Sequence, residues 1–332
     1  MKVEISCDRF TPGTNSPCKH YIKSDIQNEA GFCNLPSKFR CIESLKKYLP
    51  TLTQSAAKMF IQCREKYKRN YIDGIRPKPA TMPIPIKLGT LWDAFIGSVM
   101  NNEEFKYDDL IQEYQIHPRD VAKVFALIQA FQDLGIKLSD QVLIPQFKVA
   151  WNCMDTVITG TTDGAGDFGI QEHKLSGSPD YYTHLESIHF QVGTYLLGNE
   201  SWEYCDMMIA RVPQLKTGSG KNDNEEPEMF QKRIYGDILK RPAFYFIGYN
   251  REKKSYGKRF WRSEFDLDQI FEMYLMIIED LKECINYNRF YRNELSCYMP
   301  TQCWYMPIRK SGVISEELFT NISKSEAMEG MK

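Results

Sequence analysis

The middle of the chain reads as strands. QVLIPQFKVAWN, TVITGTTDGAGD and FGIQEHKL, at 141–152, 156–167 and 168–175, are short β-branched and aromatic runs parted by Asn, Asp and Gly. Runs of this kind predict a three-stranded meander. Upstream the apolar spacing is helical instead. TQSAAKMFIQCREKYKRNYI predicts a helix over 53–72, and further helices fall near 88–102 and 118–134, the second of these opened by Pro118. Downstream come a helix around 182–197, a strand at CDMMIARVP, a polar loop KTGSGKNDNEEPE and a helix to about 240. Strands at 243–249 and 257–264 and a long helix from 266 to about 288 follow. This order predicts an α/β (α+β) protein, with a mixed central sheet flanked by helices and a helical N-terminal part.

The third strand of the meander breaks its own pattern. Side chains two apart on a strand share a face, so Ile170 is followed on its face by Glu172 and Lys174. The plain reading of such a pair is an ion pair at a sheet edge. If the second and third strands form a hairpin, however, Asp163 of GTTDG approaches Glu172 with Lys174 beside them, and the His173 carbonyl lies between. Two carboxylates forced together repel unless a cation separates them. Asp163, Glu172 and the His173 backbone carbonyl are therefore candidates to hold Mg²⁺ or Mn²⁺, which would lower the pKa of a bound water. Lys174 would position that water or stabilise a pentavalent phosphate. Asp167 competes with Asp163 as a ligand if the register differs.

Composition narrows the setting. No apolar run approaches the roughly 18 residues that span a bilayer, and MKVEISCDRF lacks the apolar stretch of a signal peptide, so a cytoplasmic protein without membrane contact is expected. The net charge of -1 offers nucleic acid no global attraction, yet residues 1–80 carry 15 Lys or Arg against 7 Asp or Glu. That end is suited to phosphates or is simply a solvated face. GSGK at 218–221 lacks the full spacing of a phosphate loop and reads as a polar loop, with no nucleotide site. His184 and His189 fall on the 182–197 helix as packing residues, and Arg289 and Arg292 either pack or touch phosphates.

Taken together, GTTDGAGDFGIQEHK resembles the G-x-x-D…E-x-K core of the PD-(D/E)XK nuclease superfamily, and QVGTY resembles the Q-x-x-x-Y motif of its RecB-like exonuclease branch. Gln191 and Tyr195, four apart, share one helical face. LGTLWDAF resembles the family's first helical motif, G-x-x-x-H, with Asp93 where the histidine normally stands. An aspartate is a good ligand for a hard cation, so Asp93 joins the candidate metal site. The resemblance covers about residues 53–310 and implies a restriction-endonuclease-like fold. It implies a metal-dependent DNA nuclease, an exonuclease acting on ends or single strands. The phage-type members point to recombination, repair or genome processing in a bacterial host, with a recombination or helicase protein as a possible partner. Asp163, Glu172, Lys174, Gln191 and Tyr195 would be its catalytic set.

Ten cysteines in a reducing compartment suit metals better than disulfides. Cys7, Cys18, Cys33 and Cys41, with His20 nearby, lie in a loop-rich segment too short to fold on apolar burial, and a tetrahedral Zn²⁺ would stabilise it. SAAKMFIQCREKY and RNELSCYMPTQCWYMPIR resemble the opening helix and the cysteine-bearing tail of iron–sulfur members such as the AddB and CRISPR-adaptation nucleases. In those members one early and three late cysteines hold a [4Fe–4S] cluster. Cys63, Cys297 and Cys303 would supply three thiolates here, with Cys284 or some other donor as the fourth because the expected C-x5-C spacing reaches Arg309. The expected organisation is a Cys-rich module over 1–50, a nuclease domain over 51–310 and a C-terminal tail over 311–332. Two rivals stand beside it: a nuclease fold without catalysis that binds DNA or serves assembly, and a zinc-scaffolded interaction protein.

Overall fold

The computed structural model describes residues 51–138, 143–216, 225–297 and 303–322, with the backbone of 21–22 and 32–33 paired as a short antiparallel ladder. Cys7, Cys18 and Cys41 lie outside these residues, as does the GSGK loop, and of Cys33 only the pairing to Tyr21 is described. In chain order the elements are β1 (Thr51–Thr53), α1 (Gln54–Gln62), β2 (Ile75–Pro77), α2 (Ile84–Asn101), α3 (Asp108–Tyr114) and α4 (Pro118–Asp133). The meander follows as β3 (Ile144–Cys153), β4 (Thr156–Ala165) and β5 (Gly169–Ser176). Then come α5 (Leu185–Leu197), β6 (Tyr204–Arg211), α6 (Pro227–Lys240), β7 (Lys258–Trp261), α7 (Leu267–Tyr287), α8 (Met306–Ser311) and β8 (Phe319–Asn321).

Local chemistry sets the helix ends. Thr53 caps α1 by accepting from the Ala56 amide, and Asp266 caps α7 by accepting from that of Gln269. Pro118 occupies the first turn of α4, where a missing N–H costs nothing. Asn102 and Asn288 close α2 and α7 in the left-handed region.

Six strands form one mixed sheet in the order β1-β4-β5-β6-β7, with β3 pairing β4 besides. β1 runs parallel to β4 and β5 parallel to β6, whereas the β3–β4, β4–β5 and β6–β7 pairs are antiparallel. β6 is buried on both faces, as its unbroken apolar run requires. Met208 and Ala210 meet the layer of α2, α4 and α6, while Met207 and Ile209 meet the layer of α5. Helix α7 extends that second layer to α1 through Ile270, Tyr274 and Leu281.

One consequence of the register positions everything that follows. β3 pairs along the whole of β4, so β1 and β5 must share the opposite edge. β1 takes its start, Val157–Thr159, and β5 takes only its end, Gly164–Ala165. Between them β4 forks away from both neighbours over residues 160–163.

Two elements differ from the sequence expectation. The helix of 53–72 breaks at Cys63, whose extended backbone (φ -163°) re-aims the chain before it resumes at Arg64. The expected strand at 243–249 is instead a short helix, Pro242–Tyr245, followed by a single bridge from Phe246 to Ala210. Pro242 starts that turn, and Tyr245 and Phe246 gain full burial there without a ladder. Residues 319–321 return to the body, because β8 pairs antiparallel with β2 from Phe319↔Pro77 to Asn321↔Ile75.

Phe131 of α4 lies at the centre of the first layer, with its ring 5.5 Å from Phe95, 6.1 Å from Trp92 and 6.3 Å from both Phe246 and Tyr256. Phe131→Ala is expected to cost about 3–5 kcal/mol. Urea denaturation measures this as a lower midpoint at unchanged slope; a loss under about 1 kcal/mol would mean that this cluster is not the core of the layer.

Candidate active site

The fork in β4 is where the charged residues gather. The β3–β4 ladder skips one pair, Gln146 with Asp163, and Gln146 adopts φ 49°, a left-handed conformation that strains a non-glycine residue. The β4–β5 ladder also stops at Gly164↔Gln171, one residue short of Asp163. Asp163 thus sits at a distortion with no regular partner on either side. Its Oδ2 accepts from the His173 backbone N–H at 2.7 Å, so a side chain replaces the missing rung. Asp167 is exposed at the β4–β5 turn and takes no part.

Glu172 is 1% exposed on β5, on the face that Ile170 shows to α5. Its Oε2 accepts from Lys174 Nζ at 2.9 Å and from Gln191 Nε2 at 2.7 Å. The Gln191 amide also donates to the Tyr195 hydroxyl at 3.2 Å, so its two hydrogens tie Glu172 to Tyr195. Tyr195 lies against the fork itself: a Cβ on Gly160 would come within 2.4 Å of its ring, so only glycine admits the ring there. Glu172 Oε1 is buried with no partner. Asp93 enters from α2 and is exposed to solvent, although the protein crowds around its carboxyl.

Electrostatics follow from this crowding. Burial, and then the Asp163 charge, push the Glu172 carboxyl up to about 8 against the pull of Lys174. Burial and Asp163 likewise raise Asp93 to about 7. For Lys174 burial acts downward, but the Glu172 and Asp163 charges and the Glu172 hydrogen bond outweigh it, and the net direction is up. Lys174 is therefore a fixed cation and hydrogen-bond donor rather than a base. Burial, then Lys174, hold His173 down to about 3, so its ring is neutral. With its Nε2 placed 3.2 Å from Gln171 Oε1, the ring packs within the sheet.

The structure brings together Asp93, Asp163, Glu172, Lys174, Gln191 and Tyr195. Among the described residues no three His, Cys, Asp or Glu side chains form a ready-made metal cage. A hydrated Mg²⁺ does not need one, since it keeps several waters and takes one or two carboxylates. The unpartnered Glu172 Oε1 and the two raised carboxyls fit such an ion, whose charge would relieve both.

The cysteines divide differently from expectation. Cys63, Cys297 and Cys303 line one small cavity, and the Cys303 amide donates to the Cys297 carbonyl at 2.8 Å. Cys284 does not join them; its sulfur accepts from Arg64 Nη1 at 3.5 Å. Arg309, the residue reached by the C-x5-C spacing, lines the cavity instead. At about 20 Å³ the space holds roughly one water, and among the described residues only three thiols line it, beside a guanidinium. The described residues therefore do not by themselves make the four-thiolate set of a [4Fe–4S] group.

His189 accepts from the Asp266 amide and stacks on Phe265, a packing role as expected. Arg292 pairs with Glu65, and Arg289 lies over the Tyr287 ring. Lys58 of α1 is a site neighbour that no motif singles out; its spacing of four from Gln54 is the one signal the sequence holds. No family model matches the chain, and no curated protein matches it significantly.

The raised carboxyls set a pH dependence. Their ordinary values are 4.5 for Glu172 and 3.8 for Asp93, so the folded chain favours their neutral forms. That stabilisation is complete below those values and is lost as pH rises through about 7 to about 8. Without divalent cations the melting temperature is expected to fall across this window, and Glu172→Gln to flatten the fall. Mn²⁺ should raise it more at the alkaline end. Identical thermal-shift profiles for wild type and Glu172→Gln would refute the assignment.

Proposed function

We propose that the protein is a metal-dependent DNA nuclease with a restriction-endonuclease-like catalytic core, acting on DNA ends or single strands. The observation that carries this reading is the convergence of Asp163, Glu172 and Lys174 at the β4 fork, with Gln191 and Tyr195 joined to them by hydrogen bonds. Sequence spacing suggested those residues through a resemblance, and the geometry adds a chemical reason for each of them.

Asp163, Glu172 and the His173 carbonyl would hold Mg²⁺ or Mn²⁺, with Asp93 beside them. When bound, such an ion lowers the pKa of a water and neutralises charge on the attacked phosphate. Lys174 stays protonated and donates to the oxygen on which negative charge develops, a contribution that needs no rearrangement during the reaction. Gln191 keeps Glu172 from rotating, so Oε1 remains directed away from the Lys174 and Gln191 bonds held at Oε2. Tyr195 closes the fork against Gly160 and limits the entry of bulk water.

Labelled single-stranded and duplex DNA incubated with Mn²⁺ tests the proposal. Wild type is expected to release short products. Lys174→Ala should slow release at least about 100-fold, as removal of one preorganised donor commonly does, at a temperature where its melting curve shows the variant folded even though it loses the buried partner of Glu172. DNA bound without hydrolysis would instead favour the assembly-subunit reading, and equal rates for wild type and Lys174→Ala would remove Lys174 from the chemistry.

A further inference from the structure

A second cation faces the fork. β1 ends at Thr53, level with Thr159 of β4, and α1 begins at the next residue. β5 leaves the same edge of β4 after Gly164↔Gln171, and Lys174 lies three residues further along β5, beyond the end of that ladder. The start of α1 and Lys174 therefore lie at the same open edge of β4. Gln54 and Lys58, four apart, occupy one face of this helix.

Among the described residues neither has a partner to explain it. Gln54 is 7% exposed and its Nε2 is buried with no hydrogen bond, a state that commonly costs about 1–3 kcal/mol. Lys58 is exposed and makes no ion pair or hydrogen bond with another described residue. Its neighbours Arg64 and Arg69, by contrast, pair with Asp280 and Glu65. Although the Lys58 side chain reaches solvent, the protein crowded around it and then the Lys174 charge lower its pKa, which places the two ammonium groups within electrostatic reach. Two like charges held near each other, with an idle amide donor on the same helix face, call for an anion.

We infer that Gln54 and Lys58 grip a DNA backbone phosphate next to the scissile one, so that α1 forms the second wall of the substrate groove. The inference rests on the nuclease reading and deepens it. A phosphate offers several acceptor oxygens, which would satisfy the Gln54 amide and the Lys58 ammonium together. Bound there, it would also screen Lys58 from Lys174. A phosphate contact of this kind is indifferent to base identity and fixes the position of the strand.

The test uses the full chain, Mn²⁺ and a labelled single-stranded oligonucleotide over a range of salt. Lys58→Ala is expected to raise KM about tenfold, the loss of one charge-assisted contact, with kcat within about twofold of wild type. The slope of log KM against log salt should shrink by about 0.7. Lys58→Arg should recover most of the affinity, and the melting temperature should not move because Lys58 is exposed. Cleavage by Lys58→Ala with wild-type KM and salt slope overturns this inference and leaves the nuclease reading standing. A fall in kcat at constant KM also overturns it. Wild type that neither binds nor cleaves the oligonucleotide overturns both.

Discussion

Three carboxylates and one lysine meet where β4 parts from β1 and β5, and their mutual repulsion is the constraint on which the rest of this region depends. Asp163 raises both Glu172 and Asp93, while Lys174 pulls both the other way. A buried carboxylate with an idle oxygen is expensive to maintain. The surrounding elements can be read as devices that keep it in place: Gln191 restrains Glu172, Gly160 admits the Tyr195 ring, and the Gln146 kink leaves Asp163 free of the ladder.

Rigidity behind the site comes from two apolar layers. The aromatic cluster around Phe131 anchors α2, which carries Asp93, and the apolar cluster that holds Ile170, Ile188 and Val192 anchors α5, which carries Gln191 and Tyr195. The functional atoms therefore project from helices and strands whose positions are set by core packing, with no loop interposed between them. The return of β8 to β2 and the cavity shared by Cys63, Cys297, Cys303 and Arg309 tie the C-terminal part to the helical N-terminal part. Packing accomplishes this with a guanidinium in a position where thiolate spacing would suggest a fourth cysteine.

Much of the proposed site was legible because it is local in sequence. The E-x-K spacing puts Glu172 and Lys174 on one strand face, and Q-x-x-x-Y puts Gln191 and Tyr195 on one helical face. Features that depend on distant partners were not legible. The 243–249 segment has strand-like residues, yet Pro242 and the burial available to Tyr245 and Phe246 favour a helical turn. Cys63 reads as mid-helix by periodicity, and only its place in the cavity with Cys297 and Cys303 accounts for the break. Cys284, a candidate fourth cluster donor by sequence, instead accepts from Arg64.

The sequence by itself determined the alternation of helices and strands, the identity of the charged strand and the pairs of residues that share a face, because these follow from periods of 2 and 3.6 along the chain. The tertiary structure decided which strands part at residues 160–163, that Asp163 rather than Asp167 enters the cluster, and that Lys58 comes within electrostatic reach of Lys174. The physical reason is that register and layer packing join residues more than a hundred positions apart, and no local pattern records the charge that one such residue imposes on another.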